Sequence, residues 1–203
     1  MSDEGDRLLV IACGALAREV LDVVRLNSLD WVDVECLPAT LHNTPDLIPG
    51  AVEERLDAAE GRYRSVFVGY ADCGTGGLLD RVLERRGVGR LPGAHCYELY
   101  ATGPGFTTLH DREPGTFYLT DFLTRHFDRL VWAGLGLDRW PGLRDTYFGN
   151  YRRLVYLSQV PTPDLVARAR TAAGKLGLSF EHVQAGYGDL ANSLVEVGHR
   201  VPA

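Results

Sequence analysis

The residues of this 203-residue chain best suited to chemistry are its four cysteines, and their spacing is regular. Cys13 and Cys36 stand 23 residues apart, Cys73 and Cys96 stand 23 apart, and the second pair follows the first at an offset of 60. A thiolate is both a soft metal ligand and a strong nucleophile. The cysteines form no CxxC pair, so only the fold can bring them together. Cys13 closes the apolar run Leu8-Leu9-Val10-Ile11-Ala12 and precedes Gly14. Cys73 follows Val66-Phe67-Val68-Gly69-Tyr70 and precedes Gly74-Thr75-Gly76-Gly77. Cys36 ends a strand-like run from Val32, and Cys96, within Ala94–Glu98, occupies the matching place. All four thiols are therefore expected at strand ends, two in each βαβ-like unit, where open α/β sheets gather their chemistry.

The elements that must position them follow from periodicity. Apolar runs bounded by turn residues read as buried strands, and Leu16, Val20, Val23 and Val24 mark the apolar face of a first helix. Leu78 to Arg86 reads as a helix closed by Gly87, and Ala51 to Glu60 as an exposed, acidic one. Further strands are expected at Thr116–Thr120, Leu154–Gln159 and Ser179–Val183. Helices are expected from Asp121, with Thr120 or Asp121 as N-cap, and over Pro163–Lys175; Gly103–Gly115 reads as a surface loop. Strand, turn and helix recurring in this order predict an α/β fold, a mostly parallel sheet flanked by helices and built from Rossmann-like βαβ units. The 60-residue offset predicts an internal repeat over about 7–60 and 65–102. A C-terminal α/β part at 115–203 completes one domain spanning 1–203, and whether a fainter third copy falls around Gly134 and Tyr156 is left open by the sequence.

Other side chains can join the thiols. Pro38, Pro45 and Pro49 stiffen the loop after Cys36, so His42 and Asn43 either hang over the same sheet edge or begin an ordinary turn. Gly14, Gly74 and Gly76 would let backbone approach a cofactor, metal or substrate closely, and a glycine-rich turn before a helix suggests an anion cradle. The turn lacks a Walker lysine and the full dinucleotide pattern, which disfavours nucleotide binding. His95-Cys96-Tyr97-Glu98 is the densest chemical cluster, in which Glu98 is an acid, a base or a salt-bridge partner. Arg139 to Arg153, rich in aromatics and arginines, would line a pocket, make a subunit contact or simply pack on the sheet.

A net charge of −6 with no long basic run argues against a nucleic-acid partner. The acidic start and the absence of 18 consecutive apolar residues argue against a signal peptide or membrane span, so a soluble cytoplasmic protein is expected. Thiols stay reduced there, and the cysteines are read as ligands, nucleophiles or core fillers rather than disulfides.

Ile11-Ala12-Cys13-Gly14-Ala15, Leu41-His42-Asn43 with Pro45, Tyr70-Ala71-Asp72-Cys73-Gly74, His95-Cys96-Tyr97-Glu98 and Gly115 to Leu123 together resemble the bacterial and archaeal "domain of unknown function 1638" family. The resemblance runs over nearly the whole chain. It places the family motifs on Cys13, His42, Cys73, His95, Cys96 and Glu98, with Cys36 less clearly included, and implies a link to corrinoid-dependent methyl-group metabolism. The expectation is then a metal-binding enzyme of one-carbon transfer acting on a small molecule. Cys13, Cys73 and Cys96 would hold zinc or an iron–sulfur cluster, His42 or His95 would be a further ligand or proton carrier, and Glu98 an acid or base. A corrinoid is a possible cofactor, and a corrinoid protein or methyltransferase a possible partner. The alternatives are a non-catalytic carrier that delivers metal or corrinoid to a methyltransferase, and a structural module with buried thiols.

Overall fold

A computed structural model describes residues 6–200. The chain divides into two compact units, one running to Leu99 and resuming at Tyr187, the other spanning Tyr100–Gly186. Each holds its own sheet, and every strand pair is parallel.

In the first unit β1 (Leu8–Cys13), β2 (Val32–Leu37), β3 (Ser65–Gly69) and β4 (Gly89–Arg90) lie in the order β2-β1-β3-β4. β1 reads Leu-Leu-Val-Ile-Ala-Cys without alternation, as a strand covered on both faces must, and all of it is buried. β2 carries Asp33 and Glu35 and buries only its two end residues, which suits an edge. Helix α1 (Ala17–Leu26) turns Val20 and Val23 inward, and α3 (Leu78–Arg86) turns Leu79, Val82 and Leu83 inward. Gly87, left-handed at φ 64°, ends α3 as expected. Helix α2 (Ile48–Ala59) is not simply exposed, because Ile48, Val52, Leu56 and Ala59 recur at helical spacing and are buried.

A strand-helix-strand unit recurs, β1-α1-β2 and then β3-α3-β4. Its second copy is cut short. Pro92 and Gly93 end the strand almost at once, so Cys96 is the first residue of α4 (Cys96–Ala101) and not a strand end. One further offset along, the stretch before Gly134 is a π-helical turn, Asp128–Trp132, while Tyr156 lies on a strand, Arg153–Ser158. The last helix, α9 (Gly188–Arg200), returns to the first unit and packs along α1. There Trp31 Nε1 donates to the Gly198 carbonyl at 2.9 Å and Tyr187 Oη to Asp22 at 2.9 Å. The expected C-terminal part therefore ends before this helix.

The second unit orders β5 (Thr116–Leu119), β6 (Arg153–Ser158) and β7 (Ser179–Gln184) as β5-β6-β7, with β6 central and wholly buried. Helix α5 (Gly103–Arg112) occupies the stretch expected to be a loop. Its glycines and proline all fall in the first turn, where proline is tolerated, and Thr107 and Thr108 donate back to the carbonyls of Gly103 and Pro104. Short helices α6 (Asp121–Arg125) and α7 (Leu143–Phe148) and the longer α8 (Pro163–Leu176) complete the unit. Thr120 and Thr162 cap α6 and α8 by accepting from the amides of Leu123 and Leu165. In the arginine- and aromatic-rich stretch, Phe148 and Tyr151 pack against Phe117, and Arg153 is buried between Thr116 and Glu181. Among the described residues no helix is long and apolar enough to cross a membrane.

One buried carboxylate ties this second sheet together. Asp121, 1% exposed at the carboxyl end of β5, accepts from Tyr156 Oη at 2.6 Å and from the amides of Gln159 and Val160 at 3.1 and 2.9 Å. Replacing it by Ala strands a buried hydroxyl and two amides, so Asp121→Ala is expected to cost about 3 kcal/mol in urea unfolding. Asp121→Asn, which keeps one acceptor oxygen, should cost less.

Candidate thiol–imidazole site

The site forms at the carboxyl rim of the first sheet. β1 and β3 are parallel neighbours with Ala12 opposite Gly69, so the next residues, Cys13 and Tyr70, fall side by side. Both are buried, Cys13 at 1% exposure and Tyr70 at 0%. Gly14 then lets the chain pass close to β2: its amide donates to the Leu37 carbonyl at 2.8 Å, and a Cβ there would stand 2.8 Å from the same oxygen. Beyond β3 the amides of Asp72 and Cys73 donate to the carbonyls of Gly93 and Ala94 at 3.1 and 2.9 Å, which draws in the segment that carries Cys96. Cys73 itself sits in the left-handed region at φ 51°, an uncommon place for a side-chain-bearing residue and one that here aims a thiol.

The loop between Cys36 and α2 supplies the base. Between Pro38 and Pro45 the chain makes a short 3₁₀ turn, Ala39–Asn43, which places His42 Nδ1 3.5 Å from Cys13 Sγ. Cys13 Sγ also accepts the Ala15 amide at 3.3 Å. The neighbouring sulfurs, Cys13 first and then Cys73, raise the His42 imidazole to about 10. Cys73 falls to about 5, first through the hydrogen bond from Cys96 and then through His42, against the opposing effect of burial. Cys96, half-buried, is pushed well above the ordinary thiol range by the neighbouring Cys73 and then by desolvation. The resting arrangement is a Cys73 thiolate held between the Cys96 thiol and the His42 imidazolium. Burial, then Cys13, raises the Tyr70 hydroxyl. Burial and Cys13 likewise raise Cys36, which lies exposed on the edge strand.

The sequence-predicted residues separate clearly. Cys13, His42, Cys73 and Cys96 come together, whereas His95 is exposed with its ring 5.7 Å from that of Tyr97. Glu98 Oε2 accepts the Ala94 amide at 3.2 Å and so braces the start of α4. The glycine-rich turn does not offer its amides outward. Asp72 accepts the Thr75 hydroxyl at 2.8 Å and the amides of Gly76 and Gly77 at 3.2 and 2.9 Å, bonds that hold its carboxyl below the usual range. Gly74 lies against Pro45, which a Cβ there would meet at 3.4 Å, while Gly76 and Gly77 have open space around them and are needed for their left-handed backbone at φ 60° and 80°. Tyr70 is the participant that sequence reasoning missed, because on the page it is only one more apolar residue of a strand.

Cys and His are donors for zinc or iron, yet among the described residues no three His, Cys, Asp or Glu side chains are grouped so as to hold a metal ion. The His42 imidazole and the Cys13 sulfur are placed to share a proton.

The fold and rim together define a parallel α/β protein with a buried thiol–imidazole centre. The family model described as "Protein of unknown function (DUF1638)" matches residues 36–194, and the chain belongs to that family. The match takes in His42, Cys73 and Cys96 and begins after Cys13. No curated protein and no solved structure matches the chain significantly.

Two measurements follow. The rate of Cys73 alkylation by iodoacetamide, read by peptide mass mapping, should reach half its plateau near pH 5. His42→Ala should move that midpoint upward by roughly a pH unit or more. Stability should depend on pH through the same pair. Cys73, lowered from 9.0, contributes stability that is lost as pH falls toward 5; His42, raised from 6.5, contributes stability that is lost as pH rises toward 10. The two slopes cancel between 6.5 and 9.0, so the difference in melting temperature between wild type and His42→Ala should be flat there and shrink on either side.

Proposed function

We propose that this protein is an enzyme that transfers a methyl or other one-carbon group through the Cys73 thiolate. The observation that carries the reading is the contact of His42 Nδ1 with Cys13 Sγ at 3.5 Å on the carboxyl rim of the sheet, where the Cys73 thiol is also held. A soft, ionised sulfur takes electrophilic carbon readily, and Cys73 is only 9% exposed, so the group that reaches it must be small. In the first step the Cys73 sulfur forms a bond to the carbon while the leaving group departs with its electron pair. The His42 imidazolium stands by as proton donor to that leaving group. A second nucleophile then takes the carbon and returns Cys73 as thiolate. The family resemblance favours a methylated small compound or a corrinoid as the donor.

The test uses methyl iodide as the electrophile on anaerobically purified protein at about pH 6, where an ordinary thiol is largely unreactive. Methylation is expected first on Cys73 and slowed at least about tenfold by His42→Ala. Loss of the label to an added small thiol supports an enzyme, and a label that stays in place indicates a carrier. Modification confined to the exposed Cys36 would overturn the reading. So would stoichiometric zinc or iron that Cys73→Ser removes, because it would make Cys73 a ligand instead of a free nucleophile.

A further inference from the structure

Two backbone hydrogen bonds clamp the Cys73 loop to the segment that enters α4. The amides of Asp72 and Cys73 donate to Gly93 and Ala94, which makes Cys96 a built-in neighbour of Cys73. Cys96 follows two residues after Ala94, the residue whose carbonyl takes the Cys73 amide at 2.9 Å, and opens α4. The clamp is stiff on both sides: Asp72 holds the turn after Cys73 through Thr75, Gly76 and Gly77, and Glu98 holds the Ala94 amide before Cys96. Cys36 is exposed on the edge strand, while Cys13 is bonded to the Ala15 amide and to His42. The pair that the backbone fixes together is Cys73 with Cys96.

We infer that Cys73 and Cys96 form a dithiol couple that closes to a disulfide by exchange with low-molecular-weight disulfides. This rests on Cys73 being the reactive thiol of the proposed transfer. In the first step the Cys73 thiolate attacks one sulfur of the small disulfide, forming a mixed disulfide and releasing one small thiolate. That thiolate takes the proton of Cys96, whose sulfur then attacks the Cys73 sulfur and expels the second small thiolate. One protein thiolate and one protein thiol are oxidised to the disulfide, and one small disulfide is reduced to a thiol and a thiolate, the latter protonated by solvent. Closure removes the nucleophile, so the couple both exchanges electrons with small thiols and silences the transfer site; excess small thiol reverses it.

Glutathione disulfide is the probe. Reduced protein is treated with a chelator, equilibrated with excess glutathione disulfide without air, blocked with N-ethylmaleimide and mapped without reductant. Free thiols are expected to fall from the four of the reduced chain to two, with a linked peptide joining Cys73 and Cys96. In Cys96→Ser the glutathionyl group should stay on Cys73. A linked peptide through Cys13 or Cys36, glutathione retained on Cys73 in the wild-type chain, or four thiols surviving would each overturn the inference. Acid-range alkylation separates the two readings: Cys73 that alkylates near pH 5 without closing a disulfide sinks the couple and leaves the transfer standing. Cys73 unreactive at that pH sinks the transfer itself.

Discussion

The register of two neighbouring parallel strands sets up everything at the rim. With Ala12 opposite Gly69, β1 and β3 end at the same level, so Cys13 and Tyr70 emerge side by side and Cys73 follows within one turn of chain. A shift of one residue would turn one of the two strands over and send its chemical residue to the other face. β1, buried along its whole length between two partners, has no freedom to make that slip. The thiol cluster is thus as rigid as the sheet that carries it. That rigidity is what permits a side-chain-bearing residue to hold the left-handed backbone of Cys73.

Much of this was legible before any coordinates. In register β3 follows β1 at an offset of 57, with Leu8 opposite Ser65, so the 60-residue spacing of the cysteines puts Cys73 just past the residue beside Cys13, on the same edge of a parallel sheet. The prolines around His42 identified a stiff loop, and the loop is where the base resides. What failed did so for local reasons. Cys96 matched Cys36 in number, but Leu91-Pro92-Gly93 stops the strand and hands Cys96 to a helix. His95 and Glu98 flank it, and helical geometry sends them elsewhere, one to solvent and one to an amide of its own turn. The glycine and proline density of 103–105 concealed α5, since those residues are costly only inside a helix and not at its start.

The two units solve the same problem at their sheet rims in opposite ways. In the second, the carboxyl ends of β5 and β6 are closed by Asp121, whose oxygens are spent on Tyr156 and the amides of Gln159 and Val160. The polar atoms there satisfy one another and leave little for a ligand. In the first, the rim is filled by sulfur and one imidazole, whose mutual bonds are long and weak and whose protons can move. A sequence pattern does not reveal this difference, because Asp121 and Cys73 both follow an apolar run and both precede a helix. It lies in which partners the fold brings to each.

The turn that follows Cys73 has the outline of a phosphate seat, yet it has swallowed its own anion. With the Asp72 carboxylate seated among the amides of Gly76 and Gly77, a phosphate or carboxylate approaching from solvent meets a negative charge where it would need a positive one. The turn is thereby self-contained: its amides answer a side chain of the same loop, and what they fix is the backbone that carries Cys73.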